Sequence, residues 1–274
     1  MQTECFDVAP DTAPDTAPDM ASSTGPALRP SPALPFLLAS VLTAYPDEAF
    51  PGNLRLLFED EGLEAEALRA GRMRWDALLN TLDQVFASAE SLDDLRSDYI
   101  DLFDRGSSAS PLYETEYGRD RAMRKASELA DLAGFYTAFG FKTDPNRLHD
   151  MLDHLSVELE FYALMRLKEE ALRNQGNAEG VEIVRDARQK FLREHLGRLP
   201  GAVANRPVVD GHSSYGPILR WCAALLAAEC RDEAVVPLPL EWISGQAEGD
   251  AVTCGATCAM PSGPQPPTPS AIPV

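Results

Sequence analysis

The polar block with the most chemical capacity is Asp150-Met-Leu-Asp153-His154-Leu-Ser-Val-Glu158-Leu-Glu160. On a helix, Asp150, His154 and Glu158 are four apart and share one face. Three uses of such a face compete. It could be a solvated, salt-bridged surface, the usual fate of helical charges. It could be part of a metal site, although three ligands along one helix cannot converge on one ion without distortion. It could be a polar edge beside a groove, where carboxylates accept Arg or Lys from a ligand. A second block runs Tyr99-Ile-Asp101-Leu102-Phe103-Asp104-Arg105-Gly106, then a Ser-rich turn, then Ser110-Pro111-Leu112-Tyr113-Glu114-Thr115-Glu116-Tyr117. It reads as an aromatic helix end, a loop and a Pro-led helix start. Its aromatics are either core or the rim of a site where aromatic and acidic groups meet.

Other reactive residues offer less. His212 and Ser213 are sequence neighbours, an arrangement better suited to capping a helix before Pro217 than to a nucleophile–base pair. Cys254 and Cys258 are four apart, not the two-residue gap of common zinc motifs, and read as solvated thiols. No phosphate-binding glycine loop, dinucleotide fingerprint or Gly-x-Ser-x-Gly elbow is present.

The elements that carry these blocks are helical. Leu/Ala/Glu/Arg-rich segments are broken by Pro and Gly, and no stretch keeps a period-two pattern of Val, Ile and Thr. Ser91 before Leu92-Asp93-Asp94 reads as an N-cap, and Ser110-Pro111 and Asp144-Pro145 as capped helix starts. The cleanest amphipathic segment is 144–173, with Leu148, Leu152, Leu155, Leu159 and Tyr162 on one stripe. Further helices are expected at 179–196 and 215–231. Residues 1–33 carry an Ala-Pro-Asp-Thr repeat and few large apolar side chains, and 245–274 are rich in Gly, Ala, Thr, Ser and Pro. Both read as disordered tails. The expectation is an all-α single globular domain over residues 34–244.

Composition narrows the function. The 274 residues carry 43 acids against 24 basic residues, a formal charge of −19, which disfavours nucleic acid and anionic membrane as partners. The apolar run 34–42 is too short to span a bilayer and follows an acidic lead, not a basic one. Five scattered cysteines suit a reducing compartment, so a cytoplasmic protein without stable membrane insertion is expected.

Four blocks occur in a recognisable order: Tyr99-x-Asp-Leu-Phe103, Pro111-x-Tyr113-Glu114, Leu129-Ala-Asp-Leu-Ala-Gly134-Phe135-Tyr136 and Asp153-His154-Leu-Ser-Val-Glu158-Leu-Glu160-Phe161. Together they resemble the TorD/DmsD/NarJ family of molybdoenzyme maturation chaperones over roughly residues 34–233. Asp104-Arg105-Gly106 is closer to the NarJ branch and Pro-x-Tyr-Glu to the TorD branch. The usual Pro shortly before Asp-His is replaced by Asp150-Met151-Leu152.

The resemblance implies a non-enzymatic protein with no cofactor of its own. It implies binding of the N-terminal segment, often a twin-arginine leader, of the apo catalytic subunit of a molybdenum enzyme. The chaperone holds that subunit for insertion of molybdopterin guanine dinucleotide, with cofactor-biosynthesis proteins as further partners. The client-binding residues expected are Tyr99, Leu102, Phe103, Pro111, Leu112, Tyr113, Glu114, Asp153, His154 and Glu158. Apolar members would line a groove, and Glu114, Asp153 and Glu158 would receive guanidinium groups. The rival reading is a helical metal-dependent enzyme using His154, Glu158 and nearby carboxylates.

Overall fold

Nearly every apolar residue of the first helix is needed inside, because α1 (Leu34–Thr43) is buried on most of its circumference. The computed structural model describes residues 30–105, 110–118, 121–142 and 151–240. The expected tails beyond residues 30 and 240, the Asp144-Pro145 start, Leu148, Asp150 and the Cys254/Cys258 pair lie outside the described residues. The helices that follow are α2 (Phe50–Phe58), α3 (Leu63–Ala67), α4 (Arg72–Val85), α5 (Ala89–Tyr99), α6 (Arg121–Ala138), α7 (Leu155–Asn174), α8 (Ala178–Glu194), α9 (Leu199–Ala204), α10 (Pro207–Asp210) and α11 (Tyr215–Asp232). A single antiparallel bridge, Tyr113 to His154, is the one β-type pairing among the described residues. The all-α single-domain expectation is met.

α7 is the central post. α1 lies along one side and α8 along the other, while α11 packs on α4 and α9. Phe36 of α1 meets Tyr162 of α7 edge-on at 4.7 Å, and Trp75 of α4 faces Trp221 of α11 at 5.9 Å. Phe161 of α7 is ringed by Tyr136, Phe141 and Phe191 at 4.7 to 5.5 Å. The aromatic stretch 135–141 therefore closes α6 onto α7 and α8. Gly140 permits this: at φ +68° it ends α6, and the Phe141 amide donates back to the Tyr136 carbonyl at 2.8 Å.

Three local expectations are corrected. The α5 cap is Ser88, whose Oγ accepts from the Ser91 amide at 3.1 Å. Ser91 occupies the third helical position instead. Pro111 starts no α-helix; the chain bends at Leu112 and is extended at Tyr113, which leads into a single 3₁₀ turn, Glu114–Glu116. The long helix starts at Leu155, not near residue 144, because His154 is its cap and Met151–His154 is a turn. The helices expected at 179–196 and 215–231 are observed within two residues at each end.

A buried ionic network ties the post to its neighbours. The Arg188 guanidinium of α8 donates to Glu169 Oε2 at 3.1 Å, to Tyr162 Oη at 2.6 Å, to Glu229 Oε1 at 3.0 Å and to Glu233 Oε1 at 2.6 Å. Arg69, in the 3₁₀ turn Leu68–Ala70, holds the second oxygen of Glu229 at 2.6 Å. Burial alone would raise the Glu233 carboxyl, but Arg188 and Gln189 hold it below its usual range.

Candidate functional site

The two sequence blocks meet. Residues 112–115 lie antiparallel across 153–155: the Glu114 amide donates to the Asp153 carbonyl at 2.9 Å, and the Leu155 amide to the Leu112 carbonyl at 2.8 Å. The second of these satisfies a first-turn amide of α7 that has no partner within the helix. Just before this crossing, α5 ends in a π turn, Ile100–Asp104, whose Leu102 carbonyl accepts from the Ser110 amide at 2.7 Å. The extended stretch is thus anchored at both ends.

His154 joins three of these pieces. Its Nδ1 accepts from the Ser156 amide at 3.2 Å and lies 2.7 Å from Ser156 Oγ. That bond requires Nδ1 to be unprotonated, so the neutral ring carries its proton on Nε2, 3.0 Å from Tyr99 Oη. The Tyr113 ring stands edge-on to the imidazole at 5.0 Å. His154 is therefore a buried structural cap between α5, the extended stretch and α7.

The acids beneath the crossing are sealed in. Glu114 is fully buried and accepts from Arg198 Nε at 2.5 Å through Oε1, while its Oε2 lies 2.8 Å from His195 Nδ1. His195 Nε2 lies 3.1 Å from Asp131 Oδ2. Burial opposes the charged imidazole, yet Glu114 and Asp131 on its two nitrogens raise His195 above its usual value. Asp153 accepts from Thr115 Oγ1 at 2.6 Å through Oδ2, but its Oδ1 has no hydrogen-bond partner. Both carboxyl oxygens of Glu158 are also without one, at zero exposure. Burial first, then the neighbouring charges of Glu114 and Asp153, push Glu158 well above the carboxylate range. A row expected beside the apolar stripe is in fact inside the protein, as far as its members are described.

The ten expected site residues gather at this one joint. Tyr99, Leu102, Phe103, Leu112, Glu114, Asp153, His154 and Glu158 are buried; Pro111 and Tyr113 are half-buried. In this closed arrangement none of the three carboxylates is open to a guanidinium from outside. The sequence reading missed His195 and Arg198. Neither sits in a motif; the one available signal was Glu114 in a buried stretch, which demands a cation from elsewhere in the chain. His212 and Ser213 form no catalytic pair. His212 Nδ1 accepts from the Ser214 and Tyr215 amides at 3.2 and 3.3 Å and caps α11. Among the described residues no group of three His, Cys, Asp or Glu side chains is placed to hold a metal ion, so the metalloenzyme reading gains no support. No helix among them is long and apolar enough to cross a membrane.

Comparison with known families gives first a class. Residues 69–199 are similar to a family of the TorD/NarJ chaperone superfamily. The match is to the model of the nitrate reductase delta subunit family, a family of molybdoenzyme maturation chaperones. The matched span runs from just before α4 to the first residue of α9 and contains the whole joint. The family is not catalytic and implies interaction with molybdoenzyme catalytic subunits. Of the two branches seen in the sequence, the match falls on the nitrate-reductase side. No curated protein and no solved structure matches the chain.

Proposed function

We propose that this chain is a cytoplasmic maturation chaperone that binds the N-terminal segment, or twin-arginine leader, of the apo catalytic subunit of a molybdenum enzyme. It holds that subunit while molybdopterin guanine dinucleotide, the client's cargo, is inserted. The observation that carries the reading is the family match over residues 69–199. The geometry supports it: the blocks that resemble the family form one joint rather than scattered core positions. Tyr113 and Pro111 offer the partly open apolar surface, and Glu114, Asp153 and His154 set the position of the stretch that bears it.

The test is an affinity capture of partners from the native cytoplasm, followed by calorimetric titration with the N-terminal peptide of the captured subunit. Recovery of a molybdoenzyme catalytic subunit and saturable, salt-weakened binding of its peptide is the expected result. Asp153→Ala or Glu158→Ala should weaken that binding. Recovery without peptide binding would keep the class and move the contact to another part of the client.

A further inference from the structure

Glu158 stands in the first turn of α7, beneath the crossing of 112–115 over 153–155. Its amide donates to the His154 carbonyl at 3.0 Å, but its carboxyl group, at zero exposure, meets no donor. The ionisable groups that face it come from several elements. Glu114 comes from the 3₁₀ turn, Asp153 from the turn before α7, Glu128 and Tyr136 from α6, and Arg198 from the α8–α9 junction. His154, four positions back, caps the same helix with its ring against Tyr99. His195, just past α8, and Asp131 of α6 stand one step farther off, reached through Glu114. α1, packed along α7, carries no ionisable side chain.

Both inner cations are already engaged. Arg198 donates to Glu114 at 2.5 Å and to Glu128 at 3.4 Å, and His195 lies between Glu114 and Asp131. Neither is left to neutralise Glu158. A first-turn acid ordinarily gains about 0.3–1 kcal/mol from the helix dipole. An unpaired buried carboxylate costs several times that, so burial outweighs the dipole. A proton changes the balance. It removes the charge and turns one Glu158 oxygen into a donor, in a cluster whose unpaired atoms, Asp153 Oδ1 and both Glu158 oxygens, are all acceptors. The lid over this cluster is lightly held. Two backbone hydrogen bonds close the crossing, Glu114 to Asp153 and Leu155 to Leu112, and Thr115 adds its amide and Oγ1 on Asp153 Oδ2 at 3.3 and 2.6 Å.

We propose that Glu158 is a proton-operated latch on this crossing: its protonated form keeps 112–115 closed over 153–155, and loss of the proton opens the crossing, admits water to the acids and bares Leu112. Burial and the charges of Glu114 and Asp153, which raise Glu158, act in the same direction as the missing donors. The closed form binds the proton more tightly than the open form. Closing is therefore favoured most near the unfolded carboxylate value, and the advantage is lost as pH rises toward the folded one. Exposure of the joint's apolar side chains becomes a function of pH. The latch is independent of what docks on the joint.

The test is amide hydrogen exchange by NMR on the isotope-labelled full-length chain from about pH 5 to about pH 8, each rate divided by the unprotected rate at that pH. Protection of the Glu114 and Leu155 amides should fall about tenfold per pH unit, the slope of one proton, and level off above the folded value. The Leu219 amide in the middle of α11 should hold steady. Glu158→Gln and Glu158→Met cannot ionise, and both should keep the two crossing amides protected throughout; the Met variant serves if the Gln amide disturbs the packing. His195→Gln should leave the slope in place, which separates Glu158 from the neighbouring imidazole. Wild-type protection that does not change with pH, or a slope that survives both Glu158 variants, overturns the inference. A slope lost in His195→Gln also overturns it, because the controlling proton then sits on the imidazole.

Discussion

Two buried charge networks meet on α7, and they are built to opposite standards. Around Arg188 every hydrogen-bonding nitrogen of the guanidinium has an acceptor, and the acids Glu169, Glu229 and Glu233 each have a cation. Around Glu114 the acids outnumber the cations, and three carboxyl oxygens of Asp153 and Glu158 have no partner. An unsatisfied buried polar group costs about 1–3 kcal/mol. Where α7, α8 and α11 join, the chain leaves one such atom, Arg166 Nε, and no carboxyl oxygen unpaired; where the extended stretch crosses α7 it leaves three carboxyl oxygens. The first network is a fixture. The second is a place where the native state is locally poor, as functional sites often are.

Breaking the fixture should have the largest effect. Arg188→Ala removes the network's one fully buried cation, leaving Glu169 and Glu229 only their more exposed partners Arg173 and Arg69, and should cost about 3–5 kcal/mol in urea unfolding. If the loss is under about 1 kcal/mol, water already screens the network and the contrast is smaller than drawn. Glu114→Ala should cost less, about 2–3 kcal/mol, because Arg198 keeps Glu128 at 3.4 Å and His195 keeps Asp131.

Glu158 sharpens the contrast by reversing its sign. Replacing it with Met should stabilise the protein by about 1–3 kcal/mol, since no bond is lost. Its pH signature follows from the raised folded-state value. Above the unfolded carboxylate pKa the folded state binds more protons, so this group's contribution falls as pH rises toward the folded value. His195, also raised, contributes stability that is full below the unfolded imidazole value and is lost as pH rises through the folded one. Wild-type melting temperature should therefore decline between about pH 6 and pH 8. Glu158→Gln should flatten the part of that decline due to Glu158. An unchanged slope would mean that Glu158 ionises without cost. The smallest effect is expected at Ala234: Gly at this positive φ should add about 0.5–1 kcal/mol in thermal melts.

The legible part of the molecule was its periodic part. α8 and α11 announce themselves because their apolar stripes run for several turns between clear stops. The helix at 155–174 was legible in its body but not at its start. The stripe through Leu148 and Leu152 continues past the real boundary, and an imidazole cap carries no propensity signal. Pro111 misled for a related reason. Its fixed φ suits an extended strand as well as a first helical turn, and only the tertiary bridge to His154 decides between them. The joint's acids were found as residues, but their burial was not, because the cations that admit Glu114 to the interior lie some 80 positions away. Long-range charge pairing leaves no local pattern.

The two histidine caps share one further property. Tyr99 touches Nε2 of His154, and Asp98, its neighbour on α5, lies 3.6 Å from Nε2 of His212. The last turn of α5 therefore grips the beginnings of α7 and α11 through adjacent side chains. Any twist of that turn loosens both at once. In hydrogen–deuterium exchange the first-turn amides of these two helices, far apart in the chain, should open as a single event with a common protection factor.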